Sequence, residues 1–126
     1  MKTHKAYKID AYGDEITEVK INDYRDIYSN IGCGTFCIAT TLPNGDTLYV
    51  DDEGYLNQNV TRGFMFKGRF FAGNGLLIGG NKMGESVNVK TKELDVANMV
   101  TFMPERFTIP DKMREDAMSG WSVTIG

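Results

Sequence analysis

Hydrophobic positions recur along the chain at two periods, and the switches between them predict the elements. Tyr7, Ile9 and Ala11 alternate with polar residues. After Gly13-Asp14-Glu15 comes a second short run with Ile16, Val19 and Ile21, so the opening segment reads as a hairpin. The period then changes: Tyr24, Ile27, Tyr28 and Ile31 are spaced as on one helix face, with Asn22 or Asp23 as the N-terminal cap and Gly32 as the stop. In TFCIATTLPNGDTLYVDDEG, Asn44-Gly45 divides two β-rich runs. The pair suits the positive φ angles of a type I′ turn, which predicts strands at 35–42 and 46–51 and a second turn over Asp52-Glu53-Gly54.

Beyond that hairpin the pattern is less regular. YLNQNVTRGFMFKGRFF is polar first and aromatic later, with Phe64, Phe66, Phe70 and Phe71 broken by Gly63 and Gly68, and it reads as a loop plus an irregular or short helical segment. GLLIG, 75–79, is apolar at successive positions, as in a central strand covered on both faces. NKMGESVNV reads as turn and strand. TKELDVANMVTFM places Leu94, Ala97, Met99 and Val100 on a short helix capped by Thr91, followed by an extended end. Residues 1–103 are thus expected to form an α+β core, and 104–126 an extension of the same domain. That extension has a helix opening at Pro110 and closing at Gly120, then a last strand, WSVTIG. The fold class is α+β, a single compact domain with a mixed, largely antiparallel sheet and two or three short helices.

Composition narrows the function classes. With 126 residues, 41% of them hydrophobic, the chain can build one core. Its formal net charge of -3 (14 Lys and Arg against 17 Asp and Glu) disfavours nucleic acid as a partner, because that association rests on clustered cations neutralising phosphates. No run approaches the roughly 20 apolar residues needed to span a bilayer, and MKTHKAYKIDAYGDE lacks a secretory apolar core. No membrane partner and a cytoplasmic location, the host cell cytosol, are expected, with Cys33 and Cys37 as thiols. On one strand these two would stand about 13 Å apart, beyond disulfide reach. The sequon Asn59-Val60-Thr61 carries no weight without a secretory route.

The candidate chemistry centres on the middle third. FAGNGLLIGGNKMG resembles a phosphate cradle in glycine content. A dinucleotide or P-loop site, however, needs its glycines between a strand and a following helix, whereas Leu76-Leu77-Ile78 follow Gly73-Asn74-Gly75 as a strand. Two readings stay open: turns flanking a buried strand, or an anion-binding nest made by the amides of Gly73, Asn74 and Gly75. Arg62, Lys67, Arg69 and Lys82, interleaved with Phe66, Phe70 and Phe71, offer charge for a phosphate and ring faces for a base, unless the rings are core. Asn57, Gln58, Asn59 and Thr61 supply amides and a hydroxyl for polar recognition. The candidate ligand-binding set is therefore Asn59, Thr61, Arg62, Phe66, Lys67, Arg69, Gly73, Asn74 and Gly75.

Catalytic groups are scarce. His4 is the sole histidine and lies near the N-terminus, which leaves little for a Ser-His-Asp or Cys-His arrangement or for a zinc site. Asp46, Asp51, Asp52 and Glu53 could hold a divalent cation only if a turn brought neighbouring residues onto one side. Neither catalytic nor metal residues are assigned, and no cofactor is expected. Trp121, Met113 and Met118 lie on the extension, whose final strand could close its own sheet or pair with another copy and build a homo-oligomer.

NGDTLYVDDEGYLN, NQNVTRG, GRFFAGNGLLIGG and GESVNVKTKELDV, in that order, resemble family 3846 of the domains of unknown function, found in bacteriophages, mobile elements and their hosts. The resemblance runs from about Ile9 to Met103, and its most specific pieces are LYVDDEGYL and GNGLLIGG. It implies a phage or plasmid accessory origin and brings no chemistry with it. In size, acidity and setting the chain is similar to small viral proteins that counter host defence, including those that sequester nucleotide signals.

The leading expectation is a non-enzymatic protein that captures and sequesters a small anionic, nucleotide-like ligand. The alternative is an acidic interaction protein that inhibits a host enzyme through Asp14, Glu15, Glu18, Asp23 and Asp26. A metal-dependent hydrolase using Asp46, Asp51 and Asp52 is the third reading.

Overall fold

In the computed structural model, residues 3–32, 34–52 and 62–102 are described. The expected turn at Glu53-Gly54, the loop from Asn57 to Thr61, Cys33 and the C-terminal extension lie outside them. The first two strands, β1 (His4–Asp10) and β2 (Glu15–Ile21), form the expected antiparallel hairpin, with His4 opposite Ile21 and Asp10 opposite Glu15. Its turn is held by the Asp10 carboxylate, which accepts the backbone N–H of Tyr12 and of Gly13, each at 3.0 Å.

Helix α1 (Tyr24–Ile31) starts and stops where the sequence places it. Asp23 caps it by accepting the Arg25 N–H at 2.8 Å, Asp26 reaches back to the Asp23 N–H at 3.2 Å, and Gly32 closes it in the left-handed region at φ 76°. The hydrogen bond from the Arg25 side chain, then that from its backbone, hold the Asp23 carboxyl below its ordinary value of 3.8. A lowered folded-state pKa stabilises the fold above the unfolded value, and that contribution is lost as pH falls through the lowered one. An NMR titration of the Asp23 carboxyl is therefore expected to show a midpoint below 3.8 in the native chain, returning toward it in Arg25→Ala.

The next pair, β3 (Phe36–Thr41) and β4 (Thr47–Asp51), is antiparallel with a bulge between Ile38 and Thr40. Its turn differs from the type I′ expectation. Asn44 does not adopt a positive φ; Gly45 does, at 97°. The Gly45 N–H bonds to the Leu42 carbonyl, and the Leu42 N–H to the Asp46 carbonyl. That is a three-residue loop, Pro43-Asn44-Gly45, with a left-handed glycine at its end. A two-residue turn over Asn44-Gly45 would pair Pro43 with Asp46 and require an N–H that proline lacks.

The primed geometry appears instead where no strand was expected. β5 (Gly63–Phe66) and β6 (Arg69–Ala72) form a hairpin around Lys67-Gly68, whose φ angles are 51° and 83°. A lysine in the left-handed region is uncommon, which is why the sequence hides this turn. β7 (Gly75–Gly80), β8 (Ser86–Val87), α2 (Glu93–Met99) and β9 (Val100–Phe102) follow. In α2 the expected cap is displaced: Lys92 occupies the N-cap without a side-chain bond, Leu94 is exposed, and Val96 is the buried residue.

The larger sheet has the order β2-β1-β7-β4-β3, with β8 joined to β7; a second sheet has the order β6-β5-β9. All these pairings are antiparallel. β7 is central, as expected, and its side chains part to two cores. Leu76 and Ile78 pack with Ala6, Ile21 and Ile31 beneath α1. Leu77 packs with Ile9, Leu48, Phe64, Phe66 and Val96 between the two sheets and α2. No helix among the described residues is long and apolar enough to cross a membrane.

Candidate functional site

The β3–β4 loop, the β5–β6 turn and α2 with the residues before it border an open hollow of about 520 Å³. Leu42, Thr91 and Met99 supply its less exposed lining, and Pro43 and Asn44 border it on the loop side. Three lysines, Lys67, Lys90 and Lys92, share it with Asp95 and Asn98.

A buried carboxylate fixes the relation between its walls. Asp46 is fully buried just after the β3–β4 loop, and its oxygens accept the Lys90 N–H at 3.0 Å, the Thr91 N–H at 2.7 Å and the Thr91 hydroxyl at 2.5 Å. Asn44 adds to this latch: its carbonyl accepts the Asp46 N–H at 2.9 Å and its amide donates to Thr91 Oγ1 at 3.1 Å. With its hydroxyl committed to Asp46, Thr91 does not cap α2, and the helix starts one residue later than the cap expected from sequence. The third wall is tied in by the Lys67 N–H, which donates to the Met99 carbonyl at 2.8 Å.

The side chains around the hollow fall into two groups. Asn44 and Thr91 are spent on the latch, and the Lys90 ammonium donates to the Gly80 carbonyl at 2.7 Å. Lys67, Lys92, Asp95 and Asn98 are exposed, and among the described residues their side chains form no hydrogen bond or ion pair. Lys92, Asp95 and Asn98 recur at three-residue spacing, which places them along one side of α2.

The residues expected from sequence to share one site are only partly brought together. Lys67 reaches the hollow. Phe66 does not: it is 1% exposed, in the core, and offers no ring face to a ligand. Arg62 precedes β5 while Lys67 follows it, about 16 Å away along an extended strand, and its guanidinium pairs with Asp14 at 2.8 Å across to the β1–β2 turn. Arg69 stacks over the Phe71 ring, 5.3 Å from its centre.

The three residues of the proposed nest are also spent on structure. Gly73 donates its N–H to the Arg62 carbonyl, the Asn74 side chain accepts the Ala11 N–H at 2.8 Å, and Gly75 lies in the ladder opposite Ile9 and Val50. The Gly73 amide thus has a backbone partner, and Gly75 opens the buried strand β7. Asn59 and Thr61 lie outside the described residues.

Several of the acids are likewise engaged. Asp46 serves the latch, and no group of three or more potential metal-ligating side chains occurs among the described residues. On the face considered for a protein partner, Asp14 pairs with Arg62, Glu18 lies 3.9 Å from Lys20, Asp23 pairs with Arg25 at 2.9 Å, and Asp26 caps α1. Sequence reasoning did not assign Asn44, Lys90, Lys92, Asp95 or Asn98 to a site. The available signal was KTKELDVAN, where two lysines alternate just before a helix that also carries two acids and an amide. No family model matches the chain, and neither a curated protein nor a solved structure does.

Proposed function

We propose that the chain is a non-enzymatic protein that captures a small anionic ligand, of the nucleotide or sugar-phosphate kind, in the hollow between the β3–β4 loop and α2. One observation carries this reading: in a chain of net charge -3, three lysines border one hollow and none of their ammonium groups has a carboxylate within 4.0 Å among the described residues. Against the carboxylates of Asp95 and Asp46, three ammonium groups leave an excess of positive charge, which attracts anions and supplies charge-assisted donors. The latch from Asp46 supports it further, because walls held in place spend less ordering free energy on binding. Sequestration in a host cytosol, a bacteriophage accessory origin and assembly with further copies are the biological frame of the same proposal. Inhibition of a host enzyme is less favoured, since of the acids it would need Asp14, Glu18 and Asp23 lie beside a cation and Asp26 caps a helix, which leaves Glu15 as the exposed acid without such a partner among the described residues.

Isothermal titration against cyclic and linear nucleotides tests the reading. Lys67→Ala and Lys92→Ala should each weaken the tightest ligand about tenfold, equal to about 1.4 kcal/mol. The effect should shrink as salt is raised. Absence of any ligand tighter than about 1 mM, some 4 kcal/mol of binding, would remove the proposal.

A further inference from the structure

We infer that the ligand of this hollow is recognised through a phosphate and adjacent hydroxyl groups, as in a sugar phosphate or the ribose-phosphate part of a nucleotide, and not through an aromatic base. The inference rests on the capture reading and specifies its chemistry. It follows from which side chains at the hollow remain uncommitted. Lys67 and Lys92 present ammonium donors, which suit the oxygens of a phosphate. Asp95 presents a carboxylate, which accepts hydrogen bonds only and so requires a donor on the ligand. Asn98, three residues further along α2, both donates and accepts. A ligand that was anionic throughout would meet repulsion at Asp95, and a neutral one would leave the lysines unused. A phosphate followed by vicinal hydroxyls satisfies both ends.

The apolar lining points the same way. Among the described residues it consists of Leu42, Pro43 and Met99, none of them aromatic, so this lining gives no platform for the stacking that usually holds a base. The rings that could have provided one, Phe64, Phe66 and Phe71, are in the core. A hollow of about 520 Å³ has room for a phosphorylated pentose.

Titration of the whole chain with ribose 5-phosphate, adenosine 5′-monophosphate, adenosine and inorganic pyrophosphate provides the test. Ribose 5-phosphate and adenosine 5′-monophosphate are expected to bind within about fivefold of each other, and adenosine at least about a hundredfold more weakly. Asp95→Ala, an exposed change that leaves the core intact, should weaken ribose 5-phosphate about tenfold while leaving pyrophosphate unchanged or tighter, because a repelling charge is gone. Binding of adenosine 5′-monophosphate more than about thirtyfold tighter than ribose 5-phosphate would overturn the inference and leave anion capture standing. An equal loss for ribose 5-phosphate and pyrophosphate in Asp95→Ala would also overturn it. Failure of all four probes to bind below about 1 mM would remove both this inference and the capture reading for this chemistry.

Discussion

An Asp46→Ala chain is expected to lose on the order of 3–5 kcal/mol of folding stability, measured by urea denaturation, because the change orphans several buried donors at once. The Lys90 and Thr91 N–H groups and the Thr91 hydroxyl all end on this carboxylate, at a position with no exposure to water. Each donor left unsatisfied in such a place costs about 1–3 kcal/mol. The expected total is a third or more of the stability of an ordinary domain. Asp46→Asn should lose less, since an amide keeps one acceptor but turns donors toward donors. Amide exchange gives a local readout: protection at Lys90 and Thr91 should fall first. A loss below about 1 kcal/mol, with those amides still protected, would show that the segment before α2 is held by something other than the carboxylate.

The second large effect concerns one glycine and one ring. Gly75 lies in the central strand directly against Phe64, and a Cβ built on it would stand 2.6 Å from the ring's Cζ and 3.2 Å from a Leu48 methyl. Gly75→Ala should therefore cost about 2–3 kcal/mol through overpacking, as the ring is fully buried and has little room to move. Phe64→Ala should cost about 3–5 kcal/mol through the cavity it leaves and the loss of its packing on Phe71, whose ring centre is 5.7 Å away. The two changes should not add. With the ring gone the added methyl occupies part of the cavity, so the double variant is expected to be more stable than the sum by about 1 kcal/mol or more. Strict additivity in a double-mutant cycle would contradict this packing.

Several elements were legible in the sequence because their causes are local. Asp23, the apolar spacing of α1 and Gly32 specify a helix by capping and periodicity alone, and α1 spans Tyr24–Ile31. The β1–β2 hairpin and the central strand followed from alternation and from an unbroken apolar run. The β5–β6 hairpin was missed because its aromatic residues do not alternate cleanly and its turn uses a lysine where asparagine is usual. The β3–β4 hairpin was placed, but its turn type was misread because Pro43 overrides the Asn-Gly signal.

The candidate site was less legible for a different reason. Arg62, Lys67 and Arg69 are close in sequence, yet a four-residue strand and a tight turn send them to different places. Lys67 lies more than twenty residues before Lys90 and Lys92, yet all three meet at one hollow.

The sequence by itself determined the class of fold, the first hairpin, α1 and the central strand, since each depends on side-chain period and on residues at fixed short offsets. Only the tertiary structure decided which charges share a surface. That choice depends on long-range ties, above all the carboxylate of Asp46 joining two segments 44 and 45 residues apart. A one-dimensional pattern carries no record of such a tie, because a buried aspartate and a solvated turn aspartate are the same letter until the chain closes around one of them.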